Sequence, residues 1–160
     1  MTKLRTGIGF DCHPLIENKK LILGGVEIPF EKGLEGHSDG DVLTHAIIDA
    51  ILGAASLGDK GKLFPSTNNK FKSIISLKLL ALAAKKLVTV KCRIVNIDAI
   101  IIAQSPSLSN FYQNIKENIS KTLNLDINDV SIKATTTDHM GFTGKNEGIC
   151  SLASVLIKRN

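Results

Sequence analysis

Apolar residues recur along this chain with two different periods, and the switches between those periods outline its elements. Leu4 to His13 carries the pattern of a strand. Leu21-Ile22-Leu23 and Val26-Glu27-Ile28 flank Gly24-Gly25, the two-residue signal of a tight β-hairpin. A polar stretch with Gly33 and Gly36 predicts a loop. From about Gly40 to Leu57 the apolar residues Val42, Leu43, Ala46, Ile47, Ala50, Ile51 and Ala54 fall at helical spacing. Ser73 opens a second helix that runs to about Leu87, apolar over most of its circumference and expected to be well buried.

A long strand follows from Cys92 to Gln104. Val95, Ile97, Ala99, Ile101 and Ala103 form one face, and Ile94, Asn96, Asp98, Ile100 and Ile102 the other. Pro106 and Ser107 start a third helix to about Leu123, striped by Leu108, Phe111, Ile115, Ile119 and Leu123. Val130 to Thr137 and Ile149 to Lys158 read as two last strands separated by a glycine-rich loop. The sum is an α/β sandwich, a mixed four-stranded sheet with helices on one face and a small β-hairpin beside it. The last strand is apolar on both faces, Ile149, Ala153, Val155 and Ile157 against Cys150, Leu152 and Leu156. The face the helices leave bare is therefore expected to meet another subunit.

Length and composition narrow the class. A chain of 160 residues fits one domain, 1–160, with enough buried surface to stand without disulfides or structural metals. Hydrophobic residues at 43% and charged residues at 22% exclude global disorder. With aromatics at 4% and no Trp, the core must be built from Ile, Leu, Val and Ala. No apolar run approaches the ~20 residues needed to cross a bilayer, and strand-like sequence begins too early for a targeting peptide. A soluble cytoplasmic protein is expected. The net charge of +5 is spread along the chain, with pairs such as Lys19-Lys20 and Lys85-Lys86 and no denser cluster. That distribution suits a small anionic ligand; neither a nucleic acid nor a membrane is expected as a partner. Cys12, Cys92 and Cys150 are too few and too far apart for a disulfide framework or a cysteine zinc site.

Candidate chemistry gathers in three places. Asp11 and His13 lie two apart on a strand, so their side chains leave one face while Cys12 points to the other. Such a pair is half of a metal site, or an incidental surface pair. In His37-Ser38-Asp39-Gly40-Asp41, four polar groups precede an apolar helix. Ser38 or Asp39 suits its N-cap and Asp41 the positive end of its dipole. Asp41, His45 and Asp49 recur at i, i+4 and i+8, which would hold the imidazole between two carboxylates, as a metal-ligating histidine requires. A histidine simply satisfied within the core is the plainer alternative. Asp11, His13 and His45 together make a three-ligand site with a fourth position open; His13, His37 and His45 are equally allowed by spacing. Last, Ala134-Thr135-Thr136-Thr137-Asp138 precedes Gly141-Phe142-Thr143-Gly144-Lys145. Hydroxyls, a carboxylate and glycines at a strand end suit a phosphate held with a divalent ion, or merely a solvated loop.

Several of these segments occur together and in order. Asp11-Cys12-His13, Gly24-Gly25-Val26-Glu27-Ile28-Pro29, His37-Ser38-Asp39-Gly40-Asp41-Val42-Leu43-x-His45, Leu57-Gly58-Asp59-x-Gly61-x-x-Phe64-Pro65, Ala134-Thr135-Thr136-Thr137 and Gly141-Phe142-Thr143-Gly144 closely resemble the 2-C-methyl-D-erythritol 2,4-cyclodiphosphate synthase family. The resemblance spans essentially the whole chain. It implies an enzyme, a phosphorus–oxygen lyase of isoprenoid precursor synthesis, that cyclises 4-diphosphocytidyl-2-C-methyl-D-erythritol 2-phosphate with release of CMP.

On the same resemblance, Asp11, His13 and His45 match zinc ligands, and His37 and Thr136 match transition-state stabilisers. Asp138 stands where glutamate is usual and would hold magnesium or manganese across the diphosphate, with a side chain one methylene shorter. Asp59-Lys60-Gly61 and Phe64-Pro65-Ser66-Thr67-Asn68 match the methylerythritol and nucleotide pocket, with Ser38 a further substrate-binding residue, and Pro65-Ser66-Thr67-Asn68 departs from the family's commoner pair of aspartates. Ala103-Gln104-Ser105-Pro106-Ser107-Leu108-Ser109 matches the cytidine loop, with Ser107 at a position where lysine is more usual. Thr135 and Thr137 flank Thr136 in the phosphate-contacting segment. Phe142 and Lys145 match the mouth of a central cavity in a homotrimer whose sites lie between neighbours; arginine is the commoner residue at Lys145, and lysine keeps the charge without the fork. A metal-binding trimeric regulator that has kept the fold without turnover is the alternative. The retained triad, His37 and Thr136 argue against it, since a pure binder needs no transition-state donors.

Overall fold

The computed structural model describes residues 3–36, 38–65, 68, 71 and 74–159. Its longest strand, β1 (Lys3–Glu17), pairs antiparallel with the C-terminal strand, β7 (Gly148–Arg159), in unbroken register from Lys3↔Arg159 to Pro14↔Gly148. On its other side β7 pairs antiparallel with β5 (Cys92–Ile102), which pairs in parallel with β6 (Val130–Thr135). These four strands make the expected mixed sheet. A fifth, β4 (Lys32–Leu34), joins the far end of β1 through Leu15↔Leu34 to Glu17↔Lys32, giving the order β4-β1-β7-β5-β6. β4 falls in the stretch predicted as a loop, because backbone pairing holds its three residues and side-chain periodicity does not announce such pairing. The hairpin is β2 (Leu21–Leu23) with β3 (Val26–Ile28); Gly24 and Gly25 turn it at φ +56° and +71°, angles that side chains disfavour.

The helices are α1 (Val42–Ala54), α2 (Lys60–Leu63), α3 (Ser76–Thr89), α4 (Tyr112–Leu123) and the single turn α5 (Gly141–Gly144). α1 lies directly on β1 and β7, and its two faces are almost wholly buried, since α3 covers the side away from the sheet. α3 itself starts at Ser76, with Ile74 and Ile75 outside the helix; the expected opening residue, Ser73, lies outside the described residues. Only one face of α3 is buried, and Leu82 and Val88 reach solvent, so it is a covering layer rather than the buried helix its composition suggests. Pro106 does not open a helix. It follows a cis peptide bond at Ser105–Pro106, and a 3₁₀ turn over Ser109–Phe111 leads into α4.

Two local departures matter for the faces. A register shift between Ile94 and Asn96 in β5 puts both Ile94 and Ile97 into the core, so Ile94 leaves the mixed face assigned to it. β6 ends at Thr135, which releases Thr136 and Thr137 from the sheet. The sheet face opposite the helices is uncovered in the single chain. Leu4 (59% exposed), Ile8 (70%) and Phe10 (57%) form an apolar row there, with Leu152 beside them. Among the described residues no helix is long and apolar enough to cross a membrane.

Candidate functional site: a metal-ready triad and a nucleotide-sized groove

The site begins with two glycines. On β1 the odd-numbered residues face α1, and at Gly7 and Gly9 the helix comes so close that a side chain has no room. A Cβ at Gly7 would sit 2.0 Å from the carbonyl oxygen of Ala50, and one at Gly9 would sit 2.0 Å from that of Ala46. Ala46, Ala50 and Ala54 supply the matching small stripe on α1. The next odd residues, Asp11 and His13, therefore arrive beside His45, one residue before that stripe.

The three side chains converge. Asp11 Oδ2 lies 2.8 Å from His45 Nδ1 and 3.1 Å from His13 Nε2, and the ring centroids of the two histidines are 5.7 Å apart. One donor atom from each residue falls within a 4.8 Å cluster. His13 Nε2 is buried and, among the described residues, makes no well-aligned hydrogen bond despite its closeness to Asp11. An unpaired buried nitrogen costs free energy unless something occupies its lone pair, and a two-nitrogen, one-oxygen set suits a divalent ion. Lys60 Nζ adds a positive charge 3.4 Å from Asp11 Oδ2. Burial alone would push the Asp11 carboxyl up, but the polar rings of His13 and His45 beside it and the Lys60 charge together hold it well below the usual carboxylate range. Cys12 points away, with its Sγ 3.0 Å from that of Cys150 on β7.

The surrounding carboxylates differ from expectation. Asp41, not Ser38 or Asp39, caps α1. Its carboxylate accepts from the backbone N–H of Gly24 (3.0 Å), Gly25 (2.8 Å) and Thr44 (3.0 Å) and from the Thr44 hydroxyl (2.7 Å). The turn of the hairpin and the head of the helix thus share one buried acceptor, and only the folded chain brings those amides together. Asp49 accepts from the backbone N–H of Lys60. Neither carboxylate touches His45, so the i, i+4, i+8 reading of its partners is overturned. His45 Nε2 instead meets the hydroxyls of Ser76 (2.9 Å) and Ser38 (3.2 Å). Asp39 reaches across to Ser76, accepting from its backbone N–H (2.9 Å) and from its hydroxyl.

A cavity of about 240 Å³ opens on the triad, lined by His13, Ser38, His45, Lys60, Gly61 and Phe64 together with Phe71 and Leu79. Asp59 heads α2 as its N-cap and Pro65 and Asn68 follow Phe64, outside the lining. His37, Ser66 and Thr67 lie outside the described residues.

A second hollow, of about 360 Å³, is lined by Ala103, Gln104, Pro106, Ser107, Leu108 and Ser109 with Tyr112 and Ala134 to Thr136. The structure thus brings the proline loop and the threonine segment to one groove, which among the described residues shares no lining residue with the triad cavity. Gln104 Oε1 accepts from the His139 backbone N–H (3.0 Å) and ties the two loops. Thr136 donates to Asp138 Oδ1 (3.1 Å), and the Thr137 hydroxyl donates to the Met140 carbonyl (2.7 Å). Phe142 and Lys145 stand exposed on the turn that follows. The sequence reading passed over Ser76, Phe71, Leu79 and Tyr112; only the bare hydroxyl of Ser76 at a helix start carried any signal.

An α/β chain that sets two imidazoles and a carboxylate on a cavity wall, with hydroxyls nearby, carries a donor set suited to a divalent metal ion. The chain belongs to the YgbB family, which it matches over residues 4–158. It is similar to a protein of Clostridium botulinum (strain Alaska E43 / Type E3) named 2-C-methyl-D-erythritol 2,4-cyclodiphosphate synthase, with 54% identity over 97% of this chain and all of that one. A protein of the same name from Clostridium beijerinckii is 56% identical over 92% of this chain and 94% of its own length. Among solved structures, the bifunctional IspDF from Campylobacter jejuni matches with a TM-score of 0.96 and 47% identity, covering the whole of this chain and 43% of that one. The CDP complex of IspF from Plasmodium falciparum matches with a TM-score of 0.85 and 37% identity over 98% of this chain and 97% of that one.

Proposed function

We propose that the chain, as one synthase domain over 1–160, closes 4-diphosphocytidyl-2-C-methyl-D-erythritol 2-phosphate into 2-C-methyl-D-erythritol 2,4-cyclodiphosphate. An oxygen of the 2-phosphate forms a bond to the β-phosphorus, the bond from that phosphorus to the bridging oxygen breaks, and CMP leaves with the bridging oxygen. The observation that carries this reading is the convergence of Asp11, His13 and His45 on a cavity wall, with His13 Nε2 buried and unpaired. These three residues would hold a divalent ion, zinc by the nature of the donors, which when bound supplies Lewis-acid charge at a phosphate oxygen. Lys60 faces the same cavity and adds a fixed positive charge for the phosphates. The attacking group is already an anion, so what the protein must provide is orientation rather than a strong base.

His37 and Thr136 are the proposed donors to phosphate oxygens as charge shifts; the Thr136 hydroxyl, now turned to Asp138, needs one bond rotation to do so. Asp138 is the proposed holder of a second ion, magnesium or manganese. The groove of Ala103 to Ser109 with Thr135 and Thr136 is the proposed cytidine site, a reading supported by the CDP complex of the Plasmodium falciparum relative. The uncovered apolar row on β1, and two cavities with no residue in common, support a homotrimer in which one subunit's triad faces the next subunit's groove.

The test is CMP release from the cytidyl substrate, with the cyclic product followed by phosphorus NMR. Chelator-treated protein should stop releasing CMP and resume when zinc is restored. Metal-loaded, trimeric protein that releases no CMP overturns the proposal and leaves the non-catalytic regulator.

A further inference from the structure

We propose that Ser76 and Asp39 are positioning residues that force His45 to present a bare Nδ1 lone pair to the ion; the inference rests on the metal reading above. The argument runs through one proton. Ser76 Oγ has a single hydrogen, and the Asp39 carboxylate, which has none to give, lies within hydrogen-bond reach on Oδ1. The serine proton therefore points to Asp39. What Ser76 offers His45 is a lone pair, 2.9 Å from Nε2. Nε2 must be the protonated nitrogen, and Nδ1 is left as an acceptor, facing the Asp11 carboxylate oxygen at 2.8 Å. A lone pair and a carboxylate oxygen at that distance repel unless a cation lies between them, which is the task of a metal site.

The relay is also well secured. Ser76 is fully buried, and Asp39 Oδ2 takes the Ser76 backbone N–H at 2.9 Å, one of the amides that the first turn of α3 leaves without a partner. Asp39 thus fixes the serine from both ends without touching the triad. Ser38 Oγ, 3.2 Å from the same Nε2 and 3.5 Å from Ser76 Oγ, can accept from that N–H as a longer second partner while its own proton turns to Ser76. Partners of this kind behind a ligating histidine are worth about 10–100-fold in metal affinity.

The experiment measures Zn(II) affinity of the full chain by competition with a chromogenic chelator, together with the Co(II) absorption spectrum. Ser76→Ala removes the acceptor but keeps the backbone cap to Asp39, so the variant should fold. Asp39→Asn can turn its amide toward the serine and release the hydroxyl proton to His45, favouring the wrong tautomer. Each variant should bind Zn(II) at least about tenfold more weakly, with an altered Co(II) spectrum. The double variant should lose little more than either single one, since both cut the same relay. Single variants that bind as tightly as the parent overturn the relay, and so do losses that simply add. Parent protein that binds no Zn(II) overturns the metal reading itself, and this inference with it.

Discussion

The two ends of the site are built in opposite ways. Around the triad, a strand and a helix meet backbone to backbone, and every carboxylate nearby is tied, Asp41 by four donors and Asp39 by both ends of one serine. Around the groove, the cited contacts are one pair of exposed side chains and one side chain meeting a backbone N–H, and Asp138 and His139 both sit at positive φ, 49° and 63°. The first end is finished within one chain. The second holds its groups close to hand without locking them, as the proposed shared site would need. On the proposed function, rigidity falls where an ion would need fixed ligands, and the looser contacts fall where phosphates and a base would be gathered in.

The largest blow to this division should come from Gly9→Val. Its side chain would have to occupy the space of the Ala46 carbonyl, so strand and helix must part. A loss of about 3–5 kcal/mol is expected in chemical denaturation, with the metal lost as well. An unchanged unfolding midpoint would show that the seam does not hold the triad. Next comes Ile8→Asp, which places a charge in the centre of the exposed apolar row while leaving the opposite face of β1 intact. Light scattering should find monomers, and turnover should vanish although zinc stays bound. A monomer with full activity removes the shared-site proposal.

Asp138→Ala probes the looser end. Turnover should fall about a hundredfold, with zinc content unaffected because the triad lies on other elements. Asp138→Glu should keep activity and lower the magnesium needed for half-maximal rate. Equal rates and equal magnesium dependence in all three proteins would make Asp138 a solvated loop residue. The smallest effects are expected at the thiols. Burial, and then the contact with Cys12, push the Cys150 thiol up to about 12, so it stays neutral throughout the physiological range. Iodoacetamide should leave Cys150 unlabelled in folded protein at neutral pH, and mass spectrometry of the digest would reveal any labelling. Cys12→Ser should keep its metal, as measured by elemental analysis.

Much of the architecture could be read before any coordinates, and the reasons are local. Alternation alone puts Asp11 and His13 on one face of β1 and Cys12 on the other, and two adjacent glycines announce the hairpin. The misses have a common cause, since each depends on a partner distant in the chain. Asp41 outcompetes Ser38 and Asp39 as the cap because amides 16 and 17 residues earlier are folded onto it. Ser76 meets His45 across 31 residues, and no spacing within either helix encodes that meeting. The bulge in β5 arises from pairing with β7, and periodicity within β5 runs straight through it.

β1 carries the triad on its odd residues and the outward apolar row on its even ones, along one run of peptide units. No rigid displacement of that strand can move one row and spare the other. On the proposed function, a neighbour covering the even row and an ion held by the odd one would act on the same stretch of backbone. Whatever factor such a cover would add to metal affinity, metal binding would have to return to assembly. Affinity for the metal that rises with protein concentration is the form in which this sharing would be measured.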